Sequence, residues 1–296
     1  MSTINVTQPD VSVSLDNTTF DVQSGASLNL TGTSDYVILE SGSGGGTVTG
    51  NNNTVSGAAV NGVDEGVSGT GNSLTLGANC SAEDSGSNNT ITIGANSRYQ
   101  GEGTNSTIYA TAGGDGLALR GSGQTAYANN DNIALGADIA TVNGNGNQIL
   151  SMGSFGGLQT LNLGGSNNVI NLAQGLTVTT NGGGVTENTD GTVVLSGNVM
   201  PGSATLSGGV LTLQLGNGNV ATMSGVSSGT QIEYLDATGK ASWTTLTDSG
   251  LGAIQANQLA SAMASYSPSA SASASNIVMP VPTSDQMLAC AQHQVS

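Results

Sequence analysis

A short cassette recurs along the chain: Gly, two small residues, Asn, one residue, then apolar–polar–apolar, often closed by another Gly. It reads Gly50-Asn51-Asn52-Asn53-Thr54-Val55-Ser56-Gly57, then Gly69-Thr70-Gly71-Asn72-Ser73-Leu74-Thr75-Leu76-Gly77. It returns as Gly86-Ser87-Asn88-Asn89-Thr90-Ile91-Thr92-Ile93-Gly94 and as Gly165-Ser166-Asn167-Asn168-Val169-Ile170-Asn171-Leu172. A unit this short cannot bury its apolar face alone, so it has to stack on copies of itself, as in a β-solenoid.

The cassette Asn falls at Asn53, Asn72 and Asn89; Ser106 and Asp131 take its place next, and Asn147 and Asn168 follow, with spacings of 19, 17, 17, 25, 16 and 21. Three strands of about four residues joined by three turns of about two predict a rung of roughly 18 residues. Gly supplies the positive φ of tight corners. Asn tolerates the left-handed region and bonds its own backbone. Stacked rung over rung, Asn53, Asn72, Asn89, Asn147 and Asn168 are expected to form a structural ladder of amides. The pairs Leu74/Leu76, Ile91/Ile93 and Leu161/Leu163 alternate with polar residues, so they should point inward. No Pro falls between Pro9 and Pro201, which suits strands that must all donate to neighbours.

The expected fold is all-β, a parallel β-solenoid (β-helix) with a short C-terminal helix and a flexible tail. Residues 1–45 read as N-terminal strands that cap the solenoid or donate a strand elsewhere, and residues 46–247 as the repeat body. Residues 248–296 read as a C-terminal helix (248–267, ended by Pro268), a Ser/Ala linker and a secretion tail. Near Thr230 the texture changes, and Trp243 is expected to pack over the last rung as part of a cap.

Composition removes several function classes. Lys and Arg total 3 against 19 Asp and Glu, giving a net charge of −16, and charged residues are 7% of the chain, against roughly 25% in ordinary soluble domains. With no basic patch, nucleic-acid binding is excluded, and adsorption to anionic membranes is disfavoured. No stretch is long and apolar enough for membrane insertion. The first residues lack the basic and apolar regions of a cleaved signal peptide. Cys80 and Cys290 read as free thiols. His293 is the single histidine and lies in the tail, so Ser-His-Asp, Cys-His and zinc mechanisms have no partners. Neighbouring carboxylates such as Asp64-Glu65 and Glu83-Asp84 point to opposite faces of a strand, which is wrong for glycosidase chemistry. The chain is therefore not expected to be an enzyme.

The body resembles the glycine-rich repeats of bacterial type I secreted proteins, the hemolysin-type or RTX group, through cassettes such as Gly50-Asn51-Asn52-Asn53-Thr54-Val55. Leu259-Ala260-Ser261-Ala262-Met263-Ala264-Ser265-Tyr266, followed by the Ser/Ala/Pro linker, is similar to the uncleaved C-terminal region of such exported proteins. The resemblance implies secretion to the extracellular space or cell surface. The calcium-binding nonapeptide of that group needs Asp at a fixed place, and here Asn or aliphatic residues stand there; Asp115 in Gly113-Gly114-Asp115-Gly116 is a partial echo. No cofactor is required by this reading. Asp64, Glu65, Glu83, Asp84 and Asp115 are the candidates for a Ca²⁺ contact.

These features point to an extracellular structural protein, a self-assembling β-solenoid of fibre, biofilm-matrix or surface-layer type. Its expected partner is itself, as homo-oligomer or filament, with extracellular polysaccharide as a candidate second partner. The alternative is an adhesin-like or ice-binding module with Ca²⁺-assisted folding, for which the outward pairs Thr47/Thr49, Ser73/Thr75, Thr90/Thr92, Thr107/Tyr109, Thr160/Asn162 and Thr177/Thr179 are the candidate array. A polysaccharide-active β-helix is the third reading.

Overall fold

Alternation with period two makes strands, and a left-handed residue before most strands makes the corner. In the computed structural model the described residues are 3–152, 159–173, 175–181, 183–187, 193–197, 204–235 and 240–246. In chain order the first strands are β1 (Thr3–Val6), β2 (Val11–Ser14), β3 (Thr19–Val22), β4 (Ser27–Thr31), β5 (Tyr36–Leu39), β6 (Gly45–Thr49) and β7 (Thr54–Gly57). Next come β8 (Asp64–Ser68), β9 (Ser73–Leu76), β10 (Ser81–Asp84), β11 (Thr90–Thr92), β12 (Arg98–Gly101), β13 (Thr107–Ala110) and β14 (Gly116–Leu119). They are followed by β15 (Gln124–Ala128), β16 (Asn132–Leu135), β17 (Ile139–Asn143), β18 (Gln148–Ser151), β19 (Gln159–Gly164), β20 (Val169–Asn171) and β21 (Leu176–Thr180).

Odd strands stack in one sheet and even strands in the other, each parallel to its neighbours. A rung therefore has two strands, not the three expected. The rung length of about 18 was reached with the wrong division: the corners are longer than two residues and the strands fewer. The flattened cross-section leaves two broad faces. β1 to β5 stack in the same register as the strands after them, so residues 3–45 are rungs of the solenoid itself.

Between the sheets lies a thin column of side chains. Phe20, Val37, Val55, Leu74, Ile91, Ile108 and Ala126 stack in register through the odd sheet and are fully buried. Leu28, Val67, Leu117, Ile133, Ile149 and Ile170 fill the even side. Burial of this kind is worth about 1.5–3 kcal/mol per large aliphatic side chain, and it repeats at every rung.

After β21 the winding changes. β22 (Gly183–Glu187) and β23 (Val193–Gly197) continue the odd sheet antiparallel, and β27 (Gln231–Leu235) and β28 (Ala241–Thr245) end it as an antiparallel pair. The even sheet passes from β20 to β26 (Asn219–Ser224), then to the antiparallel strands β25 (Val210–Gly216) and β24 (Ala204–Ser207). Leu206, Leu211, Leu213 and Ile232 on these strands, and Leu246 just after β28, are buried. Trp243 does not serve as the plug: it lies on β28 and is 53% exposed. The expected C-terminal helix, linker and tail lie outside the described residues. Among the described residues no helix is long and apolar enough to cross a membrane.

Candidate functional site

Most corners that enter a strand follow one local rule. A residue with left-handed φ comes first and a buried residue, usually polar, second. Asn52, Asn88 and Asn167 have φ of 58°, 54° and 57°, and Asn53, Asn89 and Asn168 follow them. Gly71, with φ 71°, does the same before Asn72; any Cβ there would also approach Asn52 Oδ1 to 2.8 Å. The sequence reading gave both tasks to one Asn. The structure divides them between neighbours.

The buried residue then stitches its rung to the one before. Asn72 Oδ1 accepts the backbone N–H of Asn53 at 2.9 Å, and Asn72 Nδ2 donates to the carbonyl of Gly50 at 2.9 Å. Asn89 does the same for Asn72 and Gly69, and Asn53 for Asp35 and Gly32. One amide thus satisfies one buried donor and one buried acceptor where the chain turns and the sheet ladder cannot reach them.

The expected single ladder is two. One column runs Thr18, Asp35, Asn53, Asn72, Asn89, Ser106 at the entry to the odd strands. The other runs Cys80, Ser97, Asp115, Asp131, Asn147, Asn168, Asn219 at the entry to the even strands. The spacing of 25 between Ser106 and Asp131 is one rung and a half, the step from one corner to the opposite one. The buried thiol of Cys80 is free and serves as a small ladder member, with Sγ 3.5 Å from Val63 N.

The candidate calcium acids are not brought together. Asp64 and Glu83 are exposed on the outer face of the even sheet, while their neighbours Glu65 and Asp84 point into the core. Asp84 Oδ1 accepts from Gly86 N–H at 2.9 Å and Asn89 Nδ2 at 2.7 Å, and Oδ2 from the Tyr99 hydroxyl at 3.4 Å. Burial and the adjacent Asp84 raise the Tyr99 hydroxyl. Glu65 stacks between Gly46 and Ala82, two small residues that leave room for it, and burial pushes its carboxyl up to about 8. Asp115 belongs to the second ladder. Among the described residues no three His, Cys, Asp or Glu side chains are placed to share a metal ion.

The two outer faces differ. On the odd sheet Thr54, Ser73, Thr90, Thr107, Thr125 and Thr141 form one continuous outward column. Beside it Tyr109 and Tyr127 stack at 5.1 Å, with their rings within 7° of parallel. Thr47/Thr49 lies on the even sheet, so the expected Thr array is divided between faces. The even face carries Glu83, Glu102, Arg98 and Arg120, the last 3.7 Å from Glu102.

The N-terminal end is unlike the rest. Ile4 occupies the same core column as Phe20, yet it is 37% exposed where Phe20 is 0%. Val11 and Val13 stack on the buried Leu28 and Leu30 but are themselves only partly buried. Among the described residues β1 and β2 each have one strand neighbour, leaving their outer edges unpaired.

No protein-family model, curated protein or solved structure matches the chain.

Proposed function

We propose that the chain is an extracellular structural protein, a stiff solenoid that joins a second copy of itself through its first rung. The observation that carries this is the bare N-terminal cross-section: Ile4, Val11 and Val13 in core positions without a cover, flanked by two open strand edges. Open edges recruit strands. At the opposite end the sheets finish in antiparallel strands, β28 beside β27 and β24 beside β25, whereas the first rungs are parallel, so the two ends are not alike. Like meeting like about a two-fold axis pairs β1 with β1 and β2 with β2, both antiparallel, and such a contact closes. The first assembly step is thus a head-to-head pair; a fibre, matrix or surface layer needs a further contact between pairs. The extracellular setting rests on the composition and on the resemblance of the tail.

Sedimentation equilibrium of the wild type beside Ile4→Asp tests the reading. The wild type should reach twice 29.0 kDa with rising concentration, and the variant should stay at 29.0 kDa with an unchanged circular dichroism spectrum. A wild type that remains monomeric at every concentration overturns it.

A second reading, an adhesin for extracellular polysaccharide, is favoured by the odd-sheet face, where stacked Tyr109 and Tyr127 adjoin the hydroxyl column. The rings stand above the plane, which suits a sugar better than an ice surface. Retention on immobilised polysaccharide, lost in Tyr109→Ala, supports it; equal retention of both removes it.

A further inference from the structure

Two members of the ladders break its hydrogen-bond logic. Where Asn stands, Nδ2 donates to a carbonyl one rung earlier: Asn53 to Gly32, Asn72 to Gly50, Asn89 to Gly69, Asn147 to Ala128, Asn168 to Gly144 and Asn219 to Gly165. Asp35 and Asp115 keep the other half of the pattern. Asp35 Oδ1 accepts from Thr18 N–H at 2.8 Å, and Asp115 Oδ1 from Ser97 N–H at 2.7 Å. Their Oδ2 atoms are buried and have no partner.

The local geometry shows what Oδ2 faces. A Cβ built on Gly86 would meet the Gly69 carbonyl and Asn89 Nδ2, and one built on Gly50 the Gly32 carbonyl and Asn53 Nδ2. A Cβ built on Gly32 would meet the Leu15 carbonyl and Asp35 Oδ2. Asp35 Oδ2 therefore stands where the amide nitrogen stands, beside a carbonyl oxygen. In the second column Ser97 Oγ donates to the Gly77 carbonyl at 3.3 Å, and Gly94 stacks on Gly77, so the matching carbonyl for Asp115 is that of Gly94. Two acceptors facing each other in a buried corner lack one hydrogen.

We infer that Asp35 and Asp115 are proton-binding sites of the ladders: each carries a proton on Oδ2 and donates it to the carbonyl one rung earlier, so the solenoid tightens as the pH falls. The groups around them favour the neutral form. Burial, offset in part by the Thr18 N–H and reinforced by Asp16, raises Asp35, whose next rung carries neutral Asn53. Burial and then Asp131 on the following rung raise Asp115 to about 6, against the opposing Ser97 N–H. Ser97 on the rung before is neutral, and Arg98 beside it is exposed. Asp131 is the contrasting case: burial raises its carboxyl as well, but its Oδ2 already accepts from Asn129 N–H at 2.9 Å and so has a partner without a proton. Because the folded state holds these protons more tightly than the unfolded chain, stability rises as pH drops through the folded-state values and levels off near the ordinary value of 3.8.

The test is thermal unfolding of the wild type and of the double variant Asp35→Asn/Asp115→Asn at pH 7.5 and pH 4.5, with carbon NMR titration of the Asp carboxyls. Asn supplies the missing donor at every pH. The variant should melt several degrees above the wild type at pH 7.5 and together with it at pH 4.5. Two carboxyl signals absent from the variant should titrate above 3.8 in the wild type, that of Asp115 near 6. Asp131→Asn, which strands the Asn129 N–H, should melt lower at both pH values. Carboxyls that titrate at the ordinary value, or a double variant less stable than the wild type at pH 7.5, overturn the inference.

Discussion

Replacing Asn72 by Leu removes one ladder amide while keeping the side-chain volume nearly constant. Two groups lose their partner: the buried Asn53 N–H and the half-buried Gly50 carbonyl, each bonded at 2.9 Å. The weaker contact to the Ser68 carbonyl, 3.3 Å, costs little, because that oxygen also receives the Gly50 N–H at 2.9 Å. An orphaned buried polar group costs about 1–3 kcal/mol, so Asn72→Leu should destabilise by roughly 2–5 kcal/mol. The exposed Asn51 offers the control. Its Oδ1 accepts the Thr70 N–H at 2.9 Å in contact with water, so Asn51→Ala should cost below about 1 kcal/mol. Urea unfolding gives both values, and amide hydrogen exchange locates the damage. Protection should fall first at Asn53 and its neighbours, since a solenoid couples mainly adjacent rungs. A loss for Asn72→Leu no larger than for Asn51→Ala, with Asn53 exchange unchanged, would refute the ladder as a source of stability.

Glu65 should set an alkaline limit. Its buried carboxyl is raised to about 8, so the fold gains from the neutral form below that pH and loses it as the pH rises through 8; in Glu65→Gln the drop in melting temperature between pH 7 and 9.5 should shrink. Gly101→Ala should be costly, by about 1–3 kcal/mol, because the new methyl group meets the Tyr99 hydroxyl and Gln124 Nε2 in a packed corner; urea midpoints measure it, and a neutral outcome would show that Tyr99 moves freely. Association of copies should strengthen with added salt. Asp10 and Asp16 lie at the joining end, and Arg98 is the first basic side chain in the sequence, so screening removes a repulsion; sedimentation in low and high NaCl reads the direction.

The cassette was enough to predict stacking, parallel strands and inward aliphatics, because side-chain alternation and corner chemistry are local. What it hid was set by stacking across rungs. Asn52 and Asn53 are the same residue type with different tasks, and a single rung does not show which one meets its neighbour above. The spacing of 25 was visible, but it reads as half a rung only once two strands per rung are known. Asp35, Ser97 and Cys80 went unnoticed as ladder members because they share a position, not a residue type. The signal that could have found them is the preceding left-handed residue, Ser34, Asn96 or Asn79, just before an alternating run. Glu65 and Asp84 looked like surface acids beside acids. Strand parity alone assigns one of each pair to the core, and the absence of a nearby cation gave no warning. Trp243 was expected inside because indoles are large and apolar, yet the hairpin closes over smaller residues such as Ile232 and Leu246.

The measurement that bears most directly on the joining of copies is electron microscopy of the purified chain above its association concentration. Ten two-strand rungs, β1 to β20, at about 4.8 Å each make a core of roughly 50 Å before the closing strands are added. The account predicts straight rods of twice the single-copy length, with a two-fold axis at the midpoint where the first rungs meet. Rods of single length at every concentration, or pairs joined along their broad faces, would contradict it.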